Sequence, residues 1–120
     1  MLMKGQDMKQ LLLTAMIGLW ATGAVAHSPL EATTPANEAT VAEVPSEITM
    51  DFKGEIRLTR VSMTHAETHN ANLDLNRFDG FVSSYAIPLQ GMGSGDYLIE
   101  WRGLGADGHA LNGSFSFTVE

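Results

Sequence analysis

The chain has 120 residues, with 7 lysines and arginines, 14 aspartates and glutamates, and no cysteine. Its acidity excludes a role in nucleic-acid binding, because contacts to phosphate need a basic surface. The lack of cysteine excludes disulfide bonds and thiolate metal sites, so any metal ligand is an imidazole, carboxylate, amine or thioether group.

The N-terminal segment has the layout of a secretory signal peptide. Lys4 and Lys9 precede an uncharged, mostly apolar stretch at residues 10–26, which ends in Ala-Val-Ala. That stretch has 17 residues, fewer than the roughly 20 that a membrane-spanning helix needs, and its last residues form an A-x-A cleavage motif. We therefore predict that residues 1–26 are a signal peptide, that the exported protein starts at His27, and that no membrane anchor remains after cleavage.

Residues 27–120 are predicted to form one all-β domain, since no 3.6-residue period occurs in them. Residues 27–45 are rich in alanine, threonine, proline and glutamate and predict an irregular segment. Alternation of apolar and polar residues then predicts strands, at residues 47–52, 55–63, 81–89, 96–102 and 113–119. Short strands with glycine, proline and asparagine between them indicate an antiparallel β-sandwich of the immunoglobulin-like type.

Details of the strand pattern give further predictions. The apolar positions change parity between Leu58 and Val61, which predicts a β-bulge near Thr59. Pro88 lacks an N–H group, so it predicts an edge position or a strand end. Phe81 stands in register with the apolar positions of residues 81–89, which predicts that its side chain faces inward with them. The aromatic residues predicted in the core are Phe52, Tyr85, Trp101, Phe115 and Phe117.

The first candidate metal ligand is His27, the residue that follows the predicted cleavage point. As a new N-terminus it would offer two nitrogen atoms, the α-amine and the imidazole, which close a chelate ring on one metal ion. Among the divalent first-row ions, Cu(II) binds nitrogen sites most tightly and favours a tetragonal arrangement. The alternative is that a histidine next to the cleavage point has no function.

The second candidate lies in the segment between the last two predicted strands, where Asp107 and His109 are two residues apart. In an extended chain, alternate side chains project to the same side, so a carboxylate and an imidazole would converge. With His27 they would make a set of three nitrogen atoms and one oxygen atom. The alternative is a β-turn in which Asp107 bonds to the backbone and His109 faces water.

A third candidate is the row formed by Met63, His65, Glu67 and His69. If this segment is extended, all four side chains project to one side, and a thioether with two imidazoles suits Cu(I). The alternative is that Met63 belongs to the core and the histidines lie in a solvated loop.

Both ends of residues 27–120 resemble the CopC/PcoC family of periplasmic copper-binding proteins. The start, AHSPLEATTPANEATV, is similar to the family's A-H-x-x-L-x-x-S-x-P-A opening. The end, GDYLIEWRGLGADGHALNGSFSFTV, is similar to its G-x-Y-x-V-x-W-R-x-x-S-x-D-G-H-x-x-x-G-x-x-x-F-x-V closing. The resemblance implies a Greek-key β-sandwich of about seven strands, located in the periplasm.

The resemblance also implies roles for particular residues. Cu(II) would be bound by His27, through its α-amine and imidazole, and by Asp107 and His109. Glu55 matches a glutamate of part of the family with a shift of one residue. Some members bind Cu(I) in a methionine-rich loop, and the matching region here holds Met63, His65 and His69, with most of the methionines missing. Members act beside a CopD-related membrane copper transporter or a multicopper oxidase.

The sequence leaves three functions to compare. The first is an exported protein that sequesters or carries Cu(II) for copper homeostasis or resistance, without catalysis. The second is a metal-free immunoglobulin-like interaction module, the default for a small sandwich without a used site. The third is a copper oxidase with an N-terminal histidine brace, which would produce peroxide when copper-loaded and reduced.

Overall fold

The computed structural model describes residues 29–120, and within that range the chain is all-β, with seven strands and no helix. This part of the chain accordingly offers no helix that could cross a membrane. The predicted signal peptide and His27 lie outside the described residues. The strands are β1 (Leu30–Thr34), β2 (Ala39–Val41), β3 (Glu47–His65), β4 (His69–Asn72), β5 (Val82–Pro88), β6 (Gly95–Gly105) and β7 (Ala110–Val119).

Strand β3 connects the two layers of the sandwich. It has 19 residues and unites the two segments that were predicted separately as 47–52 and 55–63. Its first half pairs with β1 and β5, and its second half pairs with β4 and β6. Strand β6 also pairs with β7 in antiparallel fashion, and β7 pairs with β2, a parallel strand at the edge of the sheet. The predicted all-β sandwich of about seven strands is confirmed.

The predicted bulge in β3 is confirmed at Thr59. Leu58 pairs with Gly103 and Arg60 pairs with Arg102, so Thr59 is one extra residue opposite two consecutive residues of β6. The insertion keeps apolar side chains facing inward on both sides of the bulge. It also leaves the Arg60 side chain exposed on the outer face.

The core is formed by the inward side chains of β3, β5, β6 and β7. All five aromatic residues predicted there are buried, and Phe52 packs edge-on against Trp101 with ring centroids 5.1 Å apart. The Tyr85 hydroxyl donates to the Ile56 carbonyl oxygen (2.7 Å) and accepts from the Leu58 N–H (3.1 Å). Those backbone groups lie where β5 diverges from β3, so the side chain takes over hydrogen bonds that the sheet no longer provides.

Two expectations about local structure are wrong. Residues 27–45 were expected to be irregular, but they contain β1 and β2, which pair with β3 and β7. Phe81 precedes β5 and is 42% exposed instead of continuing the inward register. Pro88 is the last residue of β5, as expected.

A close contact between Gly113 and Trp101 predicts a large effect of one methyl group. A Cβ atom at position 113 would lie 2.8 Å from both Cζ2 and Nε1 of the Trp101 indole ring. The indole Nε1 is buried and has no hydrogen-bond partner among residues 29–120. Gly113→Ala should therefore lower the free energy of unfolding by about 1–3 kcal/mol, as overpacking does.

Chemical denaturation measures this difference, with Gly54→Ala as the control, because a Cβ atom at position 54 meets nothing within 4 Å. Equal stability of the two variants would contradict the contact.

Candidate metal centre

The loop at residues 106–109 joins β6 to β7 in a tight hairpin. Leu104 pairs with Ala110, and the Gly105 N–H donates to the His109 carbonyl oxygen at 2.9 Å. The Gly108 N–H donates to the Gly105 carbonyl oxygen, also at 2.9 Å, and Gly108 has a φ of 87°. Glycine adopts this left-handed conformation at no steric cost, so the sequence Ala-Asp-Gly-His favours this turn.

The turn brings Asp107 and His109 together. The Asp107 Oδ1 atom accepts the His109 backbone N–H at 3.1 Å, and Oδ2 lies 2.7 Å from His109 Nδ1. The two side chains therefore converge, as expected, but through a turn and not through an extended segment. The turn proposed as the alternative is also present, because one carboxylate bonds both the backbone and the ring of the same residue.

The pair is solvent-exposed, with 83% of the His109 side chain and 67% of the Asp107 side chain accessible. The hydrogen bond with Asp107, and then its negative charge, raise the pKa of His109 above the ordinary value. The hydrogen bond with the His109 side chain lowers the pKa of Asp107. Since Nδ1 faces the carboxylate, Nε2 is the ring nitrogen of His109 without a hydrogen-bond partner among the described residues.

The start of the described chain and the end of β6, which leads into the 106–109 loop, lie on the same edge of β3. Ile56 pairs with Gly105 on one edge and with Val82 on the other. Because β5 occupies the Val82 edge, β1 lies on the same edge as β6. The Lys53 N–H donates to the Pro29 carbonyl oxygen at 2.9 Å, so β1 begins three residues, or about 10 Å along the strand, from the end of β6.

Glu55 lies in the gap between these two points. It is exposed and stands next to Ile56, the partner of the last residue of β6. The structure therefore places Glu55 at the same end of the sheet as the 106–109 loop.

The row from Met63 to His69 is not extended, so the expected alignment of four side chains is wrong. Ala66 and Glu67 have positive φ angles of 51° and 66°, and the chain turns back so that His65 pairs with His69 across a hairpin. Met63 is buried in the core at 1% exposure.

His65 already has contacts of its own. Its Nε2 atom lies 2.7 Å from the Ser94 carbonyl oxygen, and its ring centroid is 4.7 Å from that of Tyr97. This hairpin lies at the other end of β6, about 26 Å from the 106–109 loop by the rise of a strand. Copper bound here would occupy a site separate from the loop.

Within residues 29–120, no group of three histidine, aspartate or glutamate side chains is arranged to hold a metal ion. Asp107 and His109 supply two donors that face solvent. Imidazole and carboxylate together suit Cu(II) or Zn(II), so the pair fits one side of a metal centre and needs further ligands from elsewhere in the chain.

The molecule is thus a small β-sandwich with an exposed imidazole–carboxylate pair, His109 and Asp107, in the loop between β6 and β7. Residues 30–120 match the model of the CopC domain family. The chain therefore belongs to the CopC family, and the resemblance noted from its sequence motifs is confirmed.

Individual relatives agree with this assignment. Copper resistance protein C of Escherichia coli is 26% identical over 110 residues, which cover 83% of this chain and 86% of that protein. The crystal structure of PcoC, a methionine-rich copper resistance protein from Escherichia coli, superposes with a TM-score of 0.54 at 26% identity, covering 79% of this chain and 100% of PcoC. The crystal structure of CopC from Methylosinus trichosporium OB3b superposes with a TM-score of 0.65 at 21% identity, and the match covers 78% of this chain and 94% of that protein.

The contact between Asp107 and His109 predicts the pH titration of the histidine. Asp107→Asn removes the negative charge and the charged acceptor, so the pKa of His109 should fall toward its ordinary value. Nuclear magnetic resonance of the imidazole signals measures the shift directly.

Asp79→Asn is the matched control, because it removes an exposed carboxylate outside the loop. An unchanged His109 titration in Asp107→Asn, or an equal change in both variants, would show that the two side chains are not paired in solution.

Proposed function

We propose that this chain is an exported protein that binds Cu(II) and carries or sequesters it in the periplasm, serving copper homeostasis or resistance. Its membership of the CopC family supports a role with copper, as does its similarity to a protein named for copper resistance. The proposed ligands are His27, Asp107 and His109, with Glu55 as an additional oxygen donor close by.

The observation that carries this proposal is that the start of β1 and the end of β6, which leads into the 106–109 loop, lie on one edge of β3 only three residues apart. Two residues precede Pro29 in a chain cut after Ala26, and an extended chain spans at most about 3.3–3.6 Å per residue. Their reach of about 7 Å covers most of the gap between Lys53 and Ile56. In a chain cut after Ala26, the two residues before Pro29 can therefore bring the N-terminal amine close to the 106–109 loop.

Each proposed ligand has a distinct chemical role. The α-amine and imidazole of His27 chelate the ion, and the free Nε2 of His109 adds a third nitrogen. A carboxylate bonded to Nδ1 lies on the opposite side of the ring from an ion at Nε2, so Asp107 must give up its hydrogen bond to Nδ1 when it donates a lone pair to the same copper ion. In the metal-free protein that hydrogen bond keeps the two proposed ligands next to each other before copper binds.

The exposed position of the proposed site suits a copper carrier better than a copper enzyme. The Asp107–His109 pair is exposed at a hairpin tip, where a partner protein can approach a bound ion and exchange it. In our proposal the fourth ligand is Asp107, which occupies a position that an oxidase would keep open for its co-substrate. A CopD-like membrane transporter or a multicopper oxidase is the kind of partner that would exchange copper with this chain.

The alternative Cu(I) set of Met63, His65 and His69 is less well arranged. The Met63 side chain would have to leave the core, and His65 Nε2 would have to give up its contact with the Ser94 carbonyl oxygen. We therefore place the copper ion at the 106–109 loop.

Removal of one imidazole tests this placement. His109→Ala should weaken Cu(II) binding by about 100-fold or more, since loss of even an outer-sphere partner of a ligand costs about 10–100-fold. His69→Ala removes an exposed histidine of β4, in the hairpin with β3 that lies far from the loop, and is the matched control. Isothermal titration calorimetry with Cu(II) and a competing chelator measures the copper affinity of each variant.

The wild-type affinity should also fall as the pH is lowered, because protonated imidazole cannot bind the ion. With the pKa of His109 raised, this loss should begin at a higher pH than it would for an ordinary histidine. If His109→Ala bound Cu(II) as tightly as His69→Ala, the proposed site would be wrong.

A further inference from the structure

The outer face of β3 and β6 carries an unusual concentration of positive charge. The domain after the predicted signal peptide has 5 basic side chains against 13 acidic ones, and three of the basic ones, Arg57, Arg60 and Arg102, stand exposed on this one face. We call these three residues the arginine cluster. The bulge at Thr59 creates it, because residues three apart in a regular strand would point to opposite faces.

The cluster is not explained by the stability of the fold. Arg60 stands directly opposite Arg102 in the antiparallel pair, and like charges in that position destabilise a sheet. Within residues 29–120 the three guanidinium groups form no ion pair, since the one ion pair of this region joins His109 and Asp107. Arginine side chains that lie together and form no ion pair among the described residues are available to bind an anion from outside.

The surface around Arg60 and Arg102 is concave. A cavity of about 510 Å³ lies over β3, β6 and β7. Thr59, Ser62 and Asn112 add hydroxyl and amide groups to its lining, and Glu100 forms one side of it. Two guanidinium groups, each with donors in a planar fork, match the geometry of a carboxylate group.

We propose that the arginine cluster and this cavity are a docking surface for an acidic segment of a protein partner, which inserts a carboxylate side chain between Arg60 and Arg102. The inference rests on the proposed function in one respect: Arg102 lies three residues before Gly105 on β6, so a partner docked here would stand beside the 106–109 loop. Such a partner would be positioned to exchange copper.

The lining favours a protein carboxylate over phosphate or a lipid surface. A concave surface fits a protruding side chain better than a flat bilayer. Leu104 lines the same cavity and Leu98, 39% exposed, lies farther along the same face of β6, and exposed apolar side chains among arginines are typical of protein interfaces.

The test uses the metal-free protein and a synthetic twelve-residue peptide that contains aspartate, glutamate and leucine. Nuclear magnetic resonance titration at low ionic strength should show shifts at Arg60, Arg102 and Asn112. Arg60→Ser and Arg102→Ser should each weaken binding at least about tenfold, the scale of a desolvated charge pair. Arg77→Ser, which removes an exposed arginine from elsewhere in the fold, should leave it unchanged.

Three results would overturn the docking surface. The first is equal peptide binding by all variants, and the second is tighter arginine-dependent binding of inorganic phosphate or of vesicles containing phosphatidylglycerol. The third is loss of Cu(II) affinity in Arg60→Ser, which would assign the arginines to the metal site. Arginine-dependent peptide binding by a protein that fails to bind Cu(II) would instead remove the proposed function and leave the docking surface standing.

Discussion

The hydrogen bonds along both edges of β3 hold the two layers of this molecule in place. β5 and β4 follow one another on one edge, and β1 and β6 follow one another on the other. Because a single continuous strand receives all four neighbours, the positions of their ends are fixed relative to each other. The sandwich achieves this without disulfide bonds, since the chain has no cysteine, and the apolar side chains packed between its layers contribute about 1.5–3 kcal/mol each on burial.

The candidate site follows from this constraint. On one edge of β3 the end of β6 faces the start of β1 across a short gap, and Glu55 and the 106–109 loop lie at that gap. The loop adds local order through the two hydrogen bonds that Asp107 makes to His109. The bulge at Thr59, which restores the apolar register of β3, also places Arg57 and Arg60 on one face. One bulge thus serves the packing of the core and positions the arginines of the proposed docking surface.

The sequence predicted the features that depend on local pattern. Alternation identified the inward aromatic residues, and the change of parity identified the bulge at Thr59. Strands β1, β2 and β4 escaped prediction because their short sequences carry little intrinsic signal and are extended by pairing with β3 and β7. The convergence of Asp107 and His109 was predicted for the wrong reason, since Gly108 in its left-handed conformation produces a turn. The turn at Ala66 and Glu67 broke the expected row of ligands, and no residue there is a glycine that would have indicated it.

The central claim is that copper binds between a free N-terminal His27 and the 106–109 loop, and electron paramagnetic resonance of the Cu(II)-loaded protein tests it most directly. Two forms are compared, one beginning at His27 and one with a single additional residue before it, each titrated with Cu(II). The claim predicts one equivalent with a tetragonal, nitrogen-rich spectrum in the first form. It also predicts a different spectrum and much weaker binding in the second, because the added residue converts the chelating amine into an amide. Identical spectra and affinities in the two forms would contradict it.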